Sequence, residues 1–229
     1  MSRRRRLACL GAVAFAALTL SGCGTGTDSA DRATVLRQIA QGLFETQAGV
    51  SASTVGPEQI QAALQGTEEP LLYARFSVTG NSVIMIGIED NGRYRTYATG
   101  ARQTITLRDG FLTATRGMGG DLMSADIDKV QALISARRAG RATRIMRFLN
   151  AEDITYEVVL DCRVTPGETR TLAAGTSAAR ATEVTESCKD RRGRQFTNTY
   201  TIDAQGRAIA STQWGGDALS AVDLRILRF

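Results

Sequence analysis

The sequence predicts a mainly β protein of the α+β kind. The expected architecture is an antiparallel β sandwich or partly closed barrel of about ten strands, with N-terminal helices and one mid-chain helix. Three observations carry this. From Leu71 onward apolar residues recur mostly with a period of two, as they do on half-buried strands. Asp90-Asn91-Gly92 and Asp109-Gly110 supply the positive-φ residues of tight hairpins. Between Asp126 and Arg138 the apolar period switches to the helical one, and only there in the β-rich part.

The elements follow in order. Arg32 to Glu45 reads as a helix, with Val35, Leu36, Ile39 and Leu43 on one stripe. A second, shorter helix starts at Pro57, a favoured first helical position, and ends before Gly66. Leu72, Ala74, Phe76 and Val78 alternate with polar neighbours and predict one buried face. Ser82 to Glu89 is apolar on both faces, as a central strand is. Arg93–Thr99, Gln103–Arg108 and Phe111–Arg116 continue the meander through the two hairpin turns.

In the helix from Asp126 to Arg138, Ile127, Val130, Leu133 and Ile134 share a face, and the acids and arginines suit its dipole. Gly140 is its expected C′ residue. Ile154, Tyr156, Val158, Leu160, Cys162 and Val164 then alternate without a break, and Cys188 shares phase with Val184. Gln195–Asp203 and Arg207–Trp214 form a hairpin through Ala204-Gln205-Gly206. Leu219–Phe229 reads as the closing strand, with a helix open for its first half.

Ahead of this domain, four arginines (Arg3–Arg6) precede a 14-residue apolar run, Leu7–Leu20, and then Ser21-Gly22-Cys23. A basic segment, an apolar segment and small residues at the cut describe a secretory signal. The run is shorter than the ~20 residues a membrane span needs. Leu20-Ser21-Gly22-Cys23 resembles the bacterial lipobox, in which the cysteine thiol takes a diacylglycerol and the new amino terminus is acylated. Residues 1–22 are therefore expected to be a signal peptide, Cys23 the lipid attachment site, and 23–31 a flexible tether. Residues 32–229 make the single β-rich domain. Gly24, where an inner-membrane retention signal would carry Asp, points to the outer membrane.

Removing the signal takes away four of 28 basic residues and none of 23 acids, so the mature chain is close to neutral. That argues against a nucleic-acid partner, which calls for a basic face. Of four cysteines, Cys9 leaves with the signal and Cys23 carries lipid. Cys162 and Cys188 remain, and in an oxidising envelope they are expected to pair, bridging inward-facing residues across the sheet. Such a loop closure contributes about 3–4 kcal/mol. The chain contains no histidine, which removes Ser-His-Asp and Cys-His catalysis and the commonest metal ligand. No metal, cofactor or catalytic residue is expected.

Thr115-Arg116-Gly117-Met118-Gly119-Gly120-Asp121-Leu122 is the second distinctive stretch. Three glycines in four residues allow a sharp turn and close approach. The Lys-Ser or Lys-Thr ending of a phosphate loop is missing, and Asp121 would repel anions. One reading is a strand-to-helix connection braced by Arg116 and Asp121. The other is a partner-docking loop, residues 116–121, in which Met118 projects as an apolar contact rather than plugging the core beneath it; projection is the expectation here, and a Met118 that plugs the core returns the loop to plain geometry.

The hairpin at Asp109-Gly110 followed by this loop, with the lipobox, N-terminal helices, β domain and Trp214, resembles the YjbF family of lipoproteins, associated with group 4 capsule and exopolysaccharide formation. The resemblance implies a lipid-anchored envelope protein that helps assemble or export polysaccharide without catalysis. It implies other envelope export proteins as partners, with polysaccharide contact open. Two alternatives remain: a periplasm-facing carrier of lipid or another apolar ligand in a half-barrel, and a carboxylate-dependent enzyme on polysaccharide. Glu68, Glu69, Glu89, Asp90, Glu152 and Asp153 are the candidate acids for the latter. Sugar binding by aromatics is a weaker thought. Tyr73, Tyr94, Tyr97, Tyr200 and Trp214 are available, but Tyr200 and Trp214 fall on core phases.

Overall fold

The computed structural model describes residues 54–150, 152–174 and 177–229. The signal segment, Cys23, the tether and the helix expected over 32–45 lie outside the described residues. The described chain forms two helices and twelve strands. The helices are α1 (Pro57–Gly66) and α2 (Asp128–Ser135). The strands are β1 (Leu71–Phe76), β2 (Ser82–Asn91), β3 (Tyr94–Ala98), β4 (Thr104–Arg108), β5 (Phe111–Arg116) and β6 (Leu122–Asp126), then β7 (Gly140–Leu149), β8 (Thr155–Ala174), β9 (Ser177–Lys189), β10 (Gln195–Ile202), β11 (Ala208–Trp214) and β12 (Ala221–Arg228). All pair antiparallel in the order β5-β4-β3-β2-β1-β12-β11-β10-β9-β8-β7-β6, a nearly closed barrel-like sheet.

That order has a simple logic. Every hairpin pairs with its sequence neighbour except at one place, and the chain-distant strands β1 and β12 zip together from Leu71↔Arg228 to Phe76↔Val222. The two free edges are therefore β5 and β6, consecutive in sequence and joined by the glycine loop. Inward positions follow the pleat: Leu72 and Ala74 on β1, Ile105 and Leu107 on β4, Leu160 and Cys162 on β8, Val222 and Leu224 on β12 all enter one cluster. On β2 the opposite face is buried too, through Ile84 and Ile86, which accounts for its apolar run.

Helix α1 is fastened to that opposite face at its carboxyl end. The Arg228 guanidinium, beside Leu71 in the register, donates to the carbonyls of Leu64 and Thr67, which have no partner within the helix. Helix α2 stoppers one end of the barrel with Ile127, Val130 and Ile134. Buried Gln131 accepts from Arg108 Nε at 2.6 Å and donates to Asp109 Oδ2 at 3.1 Å. Arg137 donates to the Asp203 carbonyl at 2.6 Å, tying α2 to the β10–β11 turn as well.

The structure adds two strands to the expected ten. β6 and β7 flank α2, so the helix starts two residues later than expected and ends at Ser135. Gly140 is not its C′ residue. Arg137 takes that place at φ 52°, and the Arg137 and Arg138 amides donate to the carbonyls of Ile134 and Leu133. Gly140 instead lets β7 start against Leu133, whose methyl would lie 2.9 Å from a Cβ there. β1 ends at Phe76, leaving Val78 exposed, and β8 turns inward only from Val158, leaving Ile154 exposed. The last strand is a strand throughout.

The β4–β5 turn shows how closely the sheet folds on itself. Asp109 and Gly110 both have positive φ, and Ala208 of β11 donates to the Asp109 carbonyl at 2.9 Å. A Cβ on Gly110 would lie 1.9 Å from the Ala208 carbonyl oxygen, while one on Gly92 at the β2–β3 turn would meet nothing within 4 Å. Gly110→Ala is therefore expected to cost about 3 kcal/mol or more, against about 1 kcal/mol for Gly92→Ala. Urea denaturation of the two variants checks the difference.

Candidate functional site

Charge inside a barrel needs a reason, and here it forms one network. On β9 the inward phase runs Val184, Glu186, Cys188, and on β7 it runs Ala142, Arg144, Met146, Phe148. Arg144 and Glu186 are both fully enclosed. Arg144 Nε donates to Glu186 Oε1 and Nη2 to Oε2, each at 2.9 Å. Oε2 also accepts from Tyr200 OH at 2.7 Å and from Asn198 Nδ2 at 2.8 Å. Asn198 Oδ1 accepts from the Trp214 amide at 2.7 Å, and the Tyr200 ring packs on Phe111 at 5.1 Å.

Burial opposes the charge on Arg144, yet the Glu186 carboxylate and Tyr200 more than compensate and hold its pKa above the usual value. Tyr200 is held well above its ordinary 10.0, by burial first and then by the Glu186 charge, against a smaller opposing effect of Arg144. Burial likewise raises Tyr97.

Cys162 and Cys188 face each other on β8 and β9 and are joined by a disulfide. The bridge links neighbouring strands of one sheet rather than spanning across it, because Cys162 and Cys188 are direct register partners on the paired strands β8 and β9. Cys188 Sγ lies 3.2 Å from Glu186 Oε1. With the sulfur in a disulfide this is a contact without a proton between the atoms. Cys162, Glu186 and Cys188 have the spacing of a metal site. Both sulfurs are spent in the bridge and the carboxylate on Arg144, so the donors suit a metal poorly.

The glycine loop joins two strands, not a strand and a helix, and it is braced as the first of its two readings expected. Arg116 Nη1 donates to the carbonyls of Thr115 and Leu122 and Nη2 to that of Met123, so one guanidinium spans the β5–β6 seam. Asp121 accepts from the amides of Gly117 at 2.7 Å and Met118 at 3.1 Å, filling with its own carboxylate the place an anion would take. Met118 does not project. It is half-buried and packs on the core cluster, while Gly117, Gly119 and Gly120 are exposed. Cβ-less neighbours leave its side chain free to turn inward.

The candidate acids fall in three adjacent pairs at strand ends and turns. Glu68 and Glu69 precede β1, Glu152 and Asp153 lie in the β7–β8 turn, and Asp90 is paired with Arg95 near the β2–β3 turn. Glu89 lines a small recess with Tyr94 and Thr96. Trp214 packs between Phe148 and Phe196 under the Arg194 guanidinium, and Arg194 is held by Asp190 and Asp217. Arg194, in the turn between β9 and β10, is thus a structural residue.

A feature outside the expected set lies on the outer face. Two cross-strand rungs run side by side over five strands. One is Tyr73-Arg225-Ala210-Thr201-Glu183, the other Arg75-Asp223-Thr212-Thr199-Thr185. Together they border a groove of about 550 Å³. Small side chains make its floor, Tyr73 with Arg225 stacked at 5.2 Å makes one wall, and Glu183 lies at the other. Asp223 is engaged by Arg75 at 3.4 Å and by the Thr212 hydroxyl at 2.7 Å.

Two expectations follow from the interior network. Arg144→Met leaves the Glu186 charge buried without a counter-charge and should cost about 3–5 kcal/mol. Adding Glu186→Gln removes that charge yet keeps groups for Tyr200 and Asn198, so the double variant should regain stability in urea melts, a clear departure from additivity. The pH dependence has a definite sign. Below about pH 10 Tyr200 is neutral folded and unfolded; above it only the unfolded chain ionises, so stability falls as pH rises. Tyr200→Phe should flatten part of that fall between about pH 9 and about pH 11, leaving the contribution of Tyr97.

The comparisons with known proteins agree with this architecture. The crystal structure of the hypothetical lipoprotein YmcC from Escherichia coli (K12) superposes with a TM-score of 0.67 at 17% identity, covering 90% of this chain and 98% of that one. At that identity the likeness is one of fold. No curated protein matches the chain. Residues 45–227 match the family described as group 4 capsule polysaccharide lipoprotein gfcB, YjbF. The chain belongs to the YjbF family of capsule polysaccharide lipoproteins.

Proposed function

We propose that this is an outer-membrane lipoprotein, held by lipid on Cys23 and facing the periplasm, with a non-enzymatic accessory role in assembling or exporting capsule or exopolysaccharide. The observation that carries the reading is the family match over residues 45–227, a capsule polysaccharide lipoprotein family, behind a Leu20-Ser21-Gly22-Cys23 cut site. Residues 23–31 act as the tether, and Gly24 directs the protein outward. Two or more acyl chains on the mature terminus give stable attachment, since each buried CH₂ contributes ~0.8 kcal/mol and one chain alone is marginal.

A non-enzymatic role is supported by where the acids are. Among the described residues the most deeply buried carboxylate, Glu186, is spent on Arg144, Tyr200 and Asn198, and the six candidate acids lie as adjacent pairs at strand ends and turns, Asp90 being held by Arg95. Glycosidase chemistry needs two carboxyls facing one substrate bond. The partners in this reading are envelope proteins of polysaccharide export.

Cys23→Ser should shift the protein from the membrane fraction to soluble periplasm, or leave unprocessed precursor. It should also lower surface polysaccharide toward the level of a deletion strain. Fractionation in a density gradient and quantification of the polymer check both. Unchanged fractionation with normal processing refutes the anchor, and normal polymer output from the deletion strain refutes the export role.

A further inference from the structure

The outer groove has the chemistry of a ligand site, and it takes no part in closing or filling the barrel. Its length follows from the sheet. Five strands at about 4.8 Å spacing set the Tyr73 wall about 19 Å from the Glu183 wall, room for a short oligosaccharide lying across the strands. Its floor is Ala210 with Thr199, Thr201 and Thr212, whose branched side chains lose little freedom when a ligand covers them. The threonine hydroxyls both donate and accept, as sugar hydroxyls require.

The charges along the groove are not equivalent. Asp223 is occupied by Arg75 and Thr212, so its negative charge is offset within the floor. Arg225 is exposed, and among the described residues its guanidinium makes no ion pair or hydrogen bond, only the stacking on the Tyr73 ring. A guanidinium lying on an aromatic face keeps its in-plane N–H fork free, and that fork matches a carboxylate in a two-point bond. Glu183, on the opposite wall, is exposed and accepts hydrogen bonds but repels a second anion. The groove therefore has a direction, with an acidic group at the Tyr73–Arg225 end and sugar hydroxyls toward Glu183.

We propose that this groove across β1, β12, β11, β10 and β9 binds a segment of acidic polysaccharide, with a uronate carboxylate on Arg225 and its sugar ring beside Tyr73. The proposal deepens the polysaccharide role proposed above and rests on it for its biological setting, though binding can be tested without it. The test uses the detergent-solubilised lipoprotein titrated by calorimetry with a galacturonate hexamer, and with a dextran hexamer as the neutral probe of equal length. The galacturonate should bind with a Kd below about 1 mM and the dextran at least about tenfold more weakly.

Arg225→Gln should weaken the acidic ligand by about tenfold or more, and Tyr73→Ala by a similar factor. Glu183→Gln should not weaken it. Arg225 and Glu183 being exposed, thermal melts of their variants should match the parent protein, and Arg225→Lys should recover part of the affinity while losing the two-point geometry. Equal binding of the two hexamers, unchanged affinity in Arg225→Gln, or no heat from galacturonate up to about 10 mM would each overturn the proposal. Polymer output from a deletion strain tests the wider export role separately, so loss of one reading is distinguishable from loss of the other.

Discussion

A curled sheet must do something with its two edges, and in this protein that constraint organises the rest. Edge strands present unpaired amides and carbonyls that invite pairing with other chains. Here the first and last strands of the domain pair with each other, so the free edges fall mid-chain, at β5 and β6. The gap between them is bridged by side chains. Arg116 spans it to the carbonyls of Leu122 and Met123, and the Thr115 hydroxyl accepts from the Leu122 amide at 3.0 Å. Gln213, reaching from β11 across the interior, accepts from the Leu112 amide and donates to the Gly110 carbonyl. The glycines of the connecting loop are what allow Asp121 to fold back and cap the Gly117 and Met118 amides. The seam is thus closed by a short local segment plus one residue from the opposite wall.

Gln213 and the Arg144–Glu186 network answer to the same rule. Among the described residues no buried side-chain nitrogen or oxygen lacks a partner. A buried ion pair contributes little net stability, because removing two charges from water costs about what their attraction returns. Its effect is geometric. Glu186 collects donors from β7 and β10 while sitting on β9, so a slip of any of these strands by one residue would strand a charge in the core. The neighbouring Cys162–Cys188 bridge pins β8 to β9 in the same layer. Three different kinds of bond therefore specify one register in the stretch where β8 and β9 are longest.

Local chemistry in the sequence was enough for the hairpins and not for their surroundings. Asp109-Gly110 and Asn91-Gly92 announce turns because few residues tolerate positive φ, and the structure places turns there. β7 escapes a hydrophobic pattern because its inward phase contains Arg144 and its outward phase Arg141 and Arg147. The signal that could have found the network is Glu186 itself, lying in phase between Val184 and Cys188, both inward. An acid at such a position requires a buried cation. Arg137 in the helix C′ position shows another limit: a hydrogen bond from its guanidinium to Asp203, 66 residues away, outweighs the preference for glycine. Met118 turns inward onto the core cluster, whose members come from strands that no neighbour in sequence reports.

The outer groove was invisible to sequence for a more general reason. Tyr73, Arg225, Ala210, Thr201 and Glu183 lie on five different strands and become neighbours only through four successive strand registers. Each of those registers is set by inward residues on the alternate phase: Ala74 with Leu224, Tyr200 with Val184, the buried Asn198 beside Glu186. The inner face thereby positions the outer one. A barrel whose interior is packed and charge-matched, and whose edges are sealed by Arg116, Asp121 and Gln213, leaves its outer surface free to vary without loss of register. A domain of this kind can present a polar groove to solvent while its core does the separate task of keeping five strands in line.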